Sequence, residues 1–254
     1  MNRFILALVA APIAVAAVPA CSSTTTTPGA GSSGNTEEPD PSTEEDSGIP
    51  GGETQCTAAR TTHLLPIAKV STAQVKVLST EGDVMTLYVD AAAGGAMDVK
   101  KNPRVYIKLT GEKVEIDDKE AFESSDWDLA LKRVDIYTNS GDAGPGKGGA
   151  AIVRKSFDEV TAADAEASLE PEQFFDEDCN GLTDEASFII TTFSGWYDYE
   201  VGGGPTVRPR VSFIVRGADG TSRYKVGIVS YTGTSDGGTD GPATGRFILK
   251  VAPL

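Results

Sequence analysis

Histidine is nearly absent from this chain: among 254 residues there is one, His63. A zinc site of the usual type needs three or four protein ligands, and the neighbouring Leu64 and Leu65 supply none. One histidine also excludes the His-Glu-x-x-His pattern, which requires two. Carboxylate pairs such as Asp126 and Asp128 are frequent, but spacing alone does not separate a glycosidase pair from a solvated surface. We therefore expect no catalytic site and interpret His63 as a surface residue.

Positive charge is also scarce. The chain has 22 Lys and Arg against 37 Asp and Glu, a net charge of −15. Binding to nucleic acid relies on Lys and Arg, so we expect no nucleic-acid partner. Residues 22–55 contain no Lys or Arg and almost no large apolar side chain. Such a stretch does not offset the entropy of ordering it, and like charges extend it. We predict a disordered acidic linker over residues 21–55, with seven carboxylates: Glu37, Glu38, Asp40, Glu44, Glu45, Asp46 and Glu53.

Long hydrophobic runs are missing, apart from the uncharged residues 4–18. That run follows Arg3, is short for a membrane span, and has the length of a signal-peptide core. The sequence after it, Val18-Pro-Ala-Cys21, resembles the lipobox of bacterial lipoproteins. It predicts a signal peptide over residues 1–20 and lipid, such as palmitate, on Cys21. Ser22 after the cysteine resembles the pattern of lipoproteins sorted to the outer membrane. The alternative to a lipoprotein is ordinary secretory cleavage after Ala20.

Cysteine is limited to three residues. If Cys21 carries lipid, Cys56 and Cys179 remain as an even pair in an oxidising compartment. A bridge between them would join the start of the domain to a distant acidic segment. It would close a loop of more than a hundred residues, worth about 4 to 5 kcal/mol on the chain-entropy account. We favour the bridge; two free thiols are the alternative.

Residues 56–254 show mostly strand patterns. Alternating or continuous apolar stretches are separated by Gly and Asp-Gly turns. A helical composition occurs only at 161–170, before Pro171. The sequence predicts an all-β fold, a single compact domain of many antiparallel strands in packed sheets with at most one short helix. The predicted strands are 74–78, 84–89, 104–109, 113–116, 150–153, 188–193, 211–216, 224–231 and 246–251.

An acidic segment resembles a calcium loop. Asp176, Asp178 and Asn180 occupy positions 1, 3 and 5, and Gly181 occupies position 6, as in the opening of an EF-hand loop. Position 12, where a bidentate Glu belongs, is Ser187. The segment also resembles acidic segments of secreted myxobacterial proteins. We predict a structural calcium site, with an acidic solvated loop as the alternative; its candidate ligands are Asp176, Asp178, Asn180, Leu182, Asp184 and Glu185.

A glycine-rich segment, 141–148, nearly matches a phosphate-binding loop. The pattern ends in Gly148 where a Ser or Thr hydroxyl should hold magnesium. It is followed by the predicted strand 150–153 and not by the helix whose N-terminus binds phosphate. We therefore expect no nucleotide and interpret the segment as a turn.

Two further blocks of sequence are informative. The first contains Trp127-Asp-Leu-Ala, the turn 139–141 and the glycine-rich 146–150; the second contains Gly195-Trp196 and 213–220. Together they resemble the HmuY family of surface lipoproteins, whose known members bind heme. The resemblance covers about residues 84–254. It implies an all-β fold of many antiparallel strands and capture of heme at the cell surface.

The resemblance does not extend to the iron ligands. Family members hold heme between His or Met side chains on two loops. In the loop after Trp196 the matching residue is Val201, which cannot coordinate iron, and the other loop is the acidic segment, without His or Met. Tyr197 and Tyr199 remain as candidate phenolate ligands, although tyrosines at this spacing more often pack and hydrogen-bond.

Two functions follow from the sequence. The first is an outer-membrane lipoprotein that binds heme or another small ligand without catalysis and delivers it to an outer-membrane receptor. The alternative is a calcium-stabilised surface interaction module that has lost heme binding. The resemblance favours the first.

Overall fold

The β-branched and aromatic stretches of the sequence form antiparallel strands. A computed structural model describes residues 56–166, 168–185, 187–200 and 204–254. The predicted signal peptide (1–20), the predicted lipidation site Cys21, the linker (21–55) and Val201 lie outside the described residues. The strands are β1 Val75–Glu81, β2 Val84–Asp90, β3 Val105–Ile107, β4 Lys113–Val114, β5 Leu129–Lys132, β6 Asp135–Thr138, β7 Gly149–Val153, β8 Tyr197–Glu200, β9 Gly204–Val207, β10 Ser212–Arg216, β11 Arg223–Ser230 and β12 Arg246–Pro253.

The strands form three sheets in which every pairing is antiparallel. The largest has the order β1-β2-β12-β11-β10-β7, a four-stranded sheet has the order β4-β3-β5-β6, and β8 pairs with β9. One α-helix, α1 Thr57–Leu64, and short 3-10 turns accompany them. The predicted all-β domain with a single short helix is confirmed.

Strand β5 of the four-stranded sheet is buried on both faces, which explains its apolar run 129–131. Leu129 and Leu131 point into a core shared with the six-stranded sheet, whereas Ala130 between them belongs to a second core. Successive side chains of a strand point to opposite faces. The second core is completed by Leu64 of α1 and by Phe174. The fold therefore has three layers: the six-stranded sheet, the four-stranded sheet, and a cover made of α1 and the segment around 174.

The Trp-Asp-Leu-Ala block and the glycine-rich loop belong to the scaffold. Trp127 is fully buried and donates from Nε1 to the Ala121 carbonyl at 2.9 Å, as expected for a core anchor. The Asn139 amide donates to the Trp127 carbonyl at 2.9 Å and accepts from the Gly146 N–H at 3.0 Å. A Cβ at Gly146 would lie 2.6 Å from the Asn139 carbonyl oxygen, so this close approach requires glycine.

Three local predictions differ from the structure. The helix α1 was not predicted, and its N-terminal residue Cys56 makes no side-chain cap. In place of the predicted helix 161–170 the segment has a 3-10 turn, Ala162–Glu166, because its end pairs with β7: the Ala150 N–H donates to the Glu170 carbonyl at 3.1 Å.

The predicted strand 188–193 forms only an isolated bridge between Ile189 and Thr183. The Phe188 N–H donates to the Asp184 side chain at 2.9 Å, and the Asp184 N–H donates to the Phe188 carbonyl. These bonds close a turn in place of a strand. In the described part of the chain, no helix has the length and apolarity to cross a membrane.

Candidate functional site

A cleft opens beside α1, on the face of the four-stranded sheet away from the six-stranded sheet. It consists of two adjoining depressions of about 100 Å³ and about 20 Å³. His63, Leu64, Arg104 and Tyr137 line the larger one, with Ser187. We call the two together the His63 cleft. The smaller one is lined by Val134, Asp184, Ser194, Trp196 and Tyr197, and both share Asp135, Phe188, Ile189 and Thr191.

Aromatic side chains distinguish this cleft from two larger depressions elsewhere. Phe188, which lines both parts of the cleft, is 48% exposed. The other depressions, of about 330 Å³ and 620 Å³, meet at Asp90 and Gly94 and are lined mainly by polar and small residues. An apolar wall with a few polar groups is the usual composition of a small-ligand site. The His63 cleft is therefore the candidate site.

The position of His63 follows from the bond that holds α1. Cys56 and Cys179 form a disulfide with their Cα atoms 5.3 Å apart, so the helix starts beside the acidic segment. At its other end His63 contacts Phe175, with ring centroids 5.7 Å apart. A Cβ at Gly181 would lie 2.8 Å from the His63 Cε1 atom. Glycine at this point leaves the imidazole room at the mouth of the cleft.

A buried polar cluster forms the floor of the larger depression. Asp118 is fully buried and accepts from the backbone N–H groups of Ile67 (3.0 Å) and Arg104 (2.9 Å) and from the Tyr106 hydroxyl (3.0 Å). The Arg104 Nη1 lies 3.5 Å from the Asp118 carboxylate, and the guanidinium lies 5.6 Å from the Tyr137 ring centroid. A buried charge needs such partners to remain ionised.

Two more ionisable groups lie next to this cluster in register across β5 and β6. Burial raises the pKa of the Asp135 carboxyl above its ordinary value, an effect that Arg104 and Lys132 oppose and Asp184 reinforces. Burial, and then the like charge of Arg104, lowers the pKa of Lys132 to about 8. Arg104 and Lys132 therefore lie beside two carboxylates: Asp118, which already accepts three hydrogen bonds, and Asp135, which lines the depression itself.

The acidic segment does not converge on a metal. The Asp176 carboxylate accepts from the backbone N–H groups of Asp178 and Asn180 and from the Asn180 amide. The carbonyl of Leu182 accepts from Ile190, and Asp184 accepts from the N–H of Phe188.

Within residues 56–254 as described, no group of three or more His, Cys, Asp or Glu could hold a metal ion. The oxygens at Asp176, Leu182 and Asp184 are used in the hydrogen bonds of a turn. The calcium prediction, which also included Glu185, is therefore not supported.

The two candidate tyrosines occupy different environments. Tyr197 is half-buried against Trp196, with ring centroids 4.6 Å apart, and lines the smaller depression. Burial raises the pKa of Tyr197, and Asp184 and Asp135 add to the shift, which disfavours the phenolate form. Tyr199 is 69% exposed. The structure thus brings Tyr197 but not Tyr199 into the cleft.

The residue that the sequence interpretation missed is His63. We interpreted it as a surface residue, and it is exposed, but it also lines the larger depression. The available signal was the cysteine pair: a bridge from Cys56 to Cys179 places a histidine seven positions after Cys56 near the acidic segment. The sequence pattern did not predict α1, and this helix sets the direction of the imidazole.

One hydrolase-like pattern, Gly-x-Ser-x-Gly, occurs at 233–237. In hydrolases this pattern occupies a sharp turn between a strand and a helix. Here Ser235 lies in the connection between β11 and β12, with no helix following in the described chain, and its carbonyl accepts from Lys76. The local structure does not fit a nucleophile.

The sequence matches a known family over most of the folded part. The family described as HmuY protein matches residues 100–245, more than half of the chain. No curated protein matches the sequence. The match includes the Trp127 block, the glycine-rich loop and the segment lining the His63 cleft. The chain therefore belongs to the HmuY family.

Proposed function

We propose that this protein binds heme at the cell surface without catalysis. Membership of the HmuY family, a heme-binding and non-enzymatic family of surface proteins, is the observation that carries the proposal. The His63 cleft supports it, because it combines an imidazole with an apolar wall formed by Phe188, which is exposed, and Ile189. Heme needs both a donor for its iron and an apolar surface for its ring.

His63 is the donor that fits best. An imidazole is a common axial ligand of heme iron, and when bound the iron would take up its nitrogen electron pair. Tyr197 fits less well, since its raised pKa keeps the phenol protonated. Neither depression encloses a porphyrin, as ligand pockets usually measure roughly 300 Å³ or more. The ring would therefore lie over the apolar wall.

The anchor completes the proposed function. Lipid on Cys21 would hold the protein in the outer membrane, and the acidic linker would extend the domain away from the lipid. A partner that receives the ligand, such as an outer-membrane receptor, would then reach the cleft from solvent. This arrangement rests on the lipobox-like residues 18–21.

The test is a titration of hemin into purified full-length protein that carries no histidine tag. We expect a stoichiometric shift of the Soret band in the wild type and a loss or change of that shift in His63→Ala. Thr62→Ala, an exposed neighbour on α1, is the matched control and should behave as wild type. A spectrum that stays that of free hemin, with the protein folded, contradicts the proposal and leaves a surface interaction module.

A further inference from the structure

Arg104 has a donor that the fold does not satisfy. The residue is 4% exposed and lines the larger depression of the His63 cleft. Its Nε has no hydrogen-bond partner among the described residues, and its Nη1 is 3.5 Å from Asp118, at the outer limit for a hydrogen bond. A buried N–H without a partner costs free energy. Nε itself is enclosed by protein atoms, so a group in the cleft would meet the part of the guanidinium that lines the depression.

The protein's own carboxylates do not meet this need. Asp118 already accepts three other hydrogen bonds, from Ile67, the Arg104 backbone and Tyr106. Asp135 lines the same depression, but among the described residues no hydrogen bond or ion pair joins its carboxylate to Arg104. Lys132 lies directly across from Asp135 in the sheet register, outside the lining of the depression. The Arg104 guanidinium therefore keeps hydrogen-bonding capacity toward the depression that Asp135 does not use.

We infer that the larger depression of the His63 cleft binds a carboxylate group, with Arg104 on its floor as the donor and His63 at its mouth. Guanidinium and carboxylate match in shape and charge. A volume of about 100 Å³ accommodates a few water molecules or one such group, but no ring. Phe188 and Ile189 line the same depression, so the carboxylate belongs to a ligand with an apolar body.

This inference rests on the proposed function and deepens it. The porphyrin of heme carries propionate arms, which would place one carboxylate in the depression while the ring covers Phe188. The same chemistry is available from a free organic carboxylate. Porphyrins without iron separate binding of the carboxylate from coordination of the iron, because they need no axial ligand.

The first experiment titrates metal-free protoporphyrin IX and its dimethyl ester into the full-length protein, with porphyrin fluorescence as the readout. We expect the ester to bind at least tenfold more weakly than the acid. Equal binding of acid and ester overturns the inference. It leaves the proposed function intact if hemin still shifts its Soret band.

Variants of Arg104 and His63 then test the role of each side chain. Arg104→Lys keeps a cation beside Asp118 but loses the planar fork, and His63→Ala changes an exposed side chain that should not affect folding. Each should weaken binding of the acid severalfold and leave the ester unchanged. Arg154→Gln, an exposed arginine outside the cleft, is the matched control. If Arg104→Lys does not fold, as judged by near-UV circular dichroism, His63→Ala and the ester comparison decide the question.

A second measurement identifies the source of the carboxylate. His63 is the only histidine, so its ¹³C-labelled imidazole gives one signal by NMR. A saturable shift with acetate, absent with chloride at the same pH and ionic strength, supports a subsite that accepts free carboxylates, even where hemin fails to bind. A shift with the porphyrin acid alone assigns the subsite to the propionate arm. No shift with either ligand overturns the inference.

Discussion

At the scale of single residues, polar side chains buried behind the cleft decide how the cleft is held. Glu172 is fully buried, and its carboxylate accepts from the Thr138 and Thr192 N–H groups at 2.8 and 2.9 Å. Both threonine hydroxyls donate to it as well. Thr138 ends β6, whereas Thr192 follows the segment that lines the cleft. One carboxylate thus connects the sheet to the wall of the site.

Glu172→Gln is expected to destabilise the protein. The amide nitrogen would replace an oxygen that accepts hydrogen bonds, and leaving a buried donor without a partner costs about 1 to 3 kcal/mol. Urea unfolding of the variant and the wild type measures the difference. Glu170→Gln, an exposed neighbour, is the control, and an equal loss in both variants would mean that the buried hydrogen bonds are not the cause.

Lys132 gives stability a defined dependence on pH. Its pKa is about 8 in the folded protein and 10.5 ordinarily, with burial as the main cause. Between these values the unfolded chain holds a proton that the folded chain has released, so the free energy of unfolding rises with pH. Below pH 8 both states are protonated, and the cost of the buried charge is fully present.

We expect the wild type to gain about 1 kcal/mol between pH 7.5 and 9.5, after allowance for solvent screening of the ammonium. Lys132→Met should remove that rise, since the variant has no group there to titrate. Urea unfolding at intervals across this range measures the slope. Lys119→Met, at an exposed position, should keep the wild-type slope; a slope that persists in Lys132→Met assigns the effect to another group.

At the scale of elements, the sequence predicted what alternation and turns determine. The strands β1, β2, β10, β11 and β12 were predicted because their apolar patterns and glycine turns agree. The strands β5 and β6 were recognised only as a family block, since burial on both faces removes the alternation. The predicted strand 188–193 failed because Asp184 holds Phe188 in a turn.

The helix α1 could not be predicted from the sequence, and for that reason the position of His63 in the candidate site could not be predicted either. Its threonines favour no helix and it has no cap, so its stability comes from tertiary contacts. Arg60 and Leu64 are buried, and the disulfide fixes its start. The imidazole of His63 reaches the cleft only because that helix is held there. Patterns within a segment do not reveal contacts that a distant cysteine imposes.

Removal of the disulfide tests this dependence. The double variant Cys56→Ala, Cys179→Ala opens a bridge between residues 123 positions apart, and we expect a loss of up to about 4 to 5 kcal/mol in the free energy of unfolding. Hemin binding should weaken in parallel, because α1 carries His63. Urea unfolding and Soret titration of oxidised, reduced and variant protein measure both effects. Binding unchanged in folded, reduced protein would show that α1 does not need the bridge.

At the scale of the whole molecule, we expect the charge of the linker and the predicted lipid anchor to act independently of the fold. The linker holds seven of the 37 acidic residues and none of the basic ones, at Glu37, Glu38, Asp40, Glu44, Glu45, Asp46 and Glu53. The domain after it is a scaffold closed by buried cores on both faces of one sheet. We expect a linker of this charge to hold such a domain accessible from solvent and to repel anionic lipid. We therefore expect lipid attachment to depend on Cys21 and ligand binding to depend on the domain.

Cys21→Ser separates these two properties. Without a thiol the chain cannot receive lipid at this position, so we expect loss of incorporated palmitate. Melting temperature and hemin binding of the purified protein should stay as in the wild type, because Cys21 lies outside the predicted domain, residues 56–254. The variant without Cys56 and Cys179 should show the reverse: palmitate retained and stability lost. Palmitate incorporated into Cys21→Ser at the wild-type level would mean that the lipid is not attached to this residue, and the lipoprotein assignment would then be wrong.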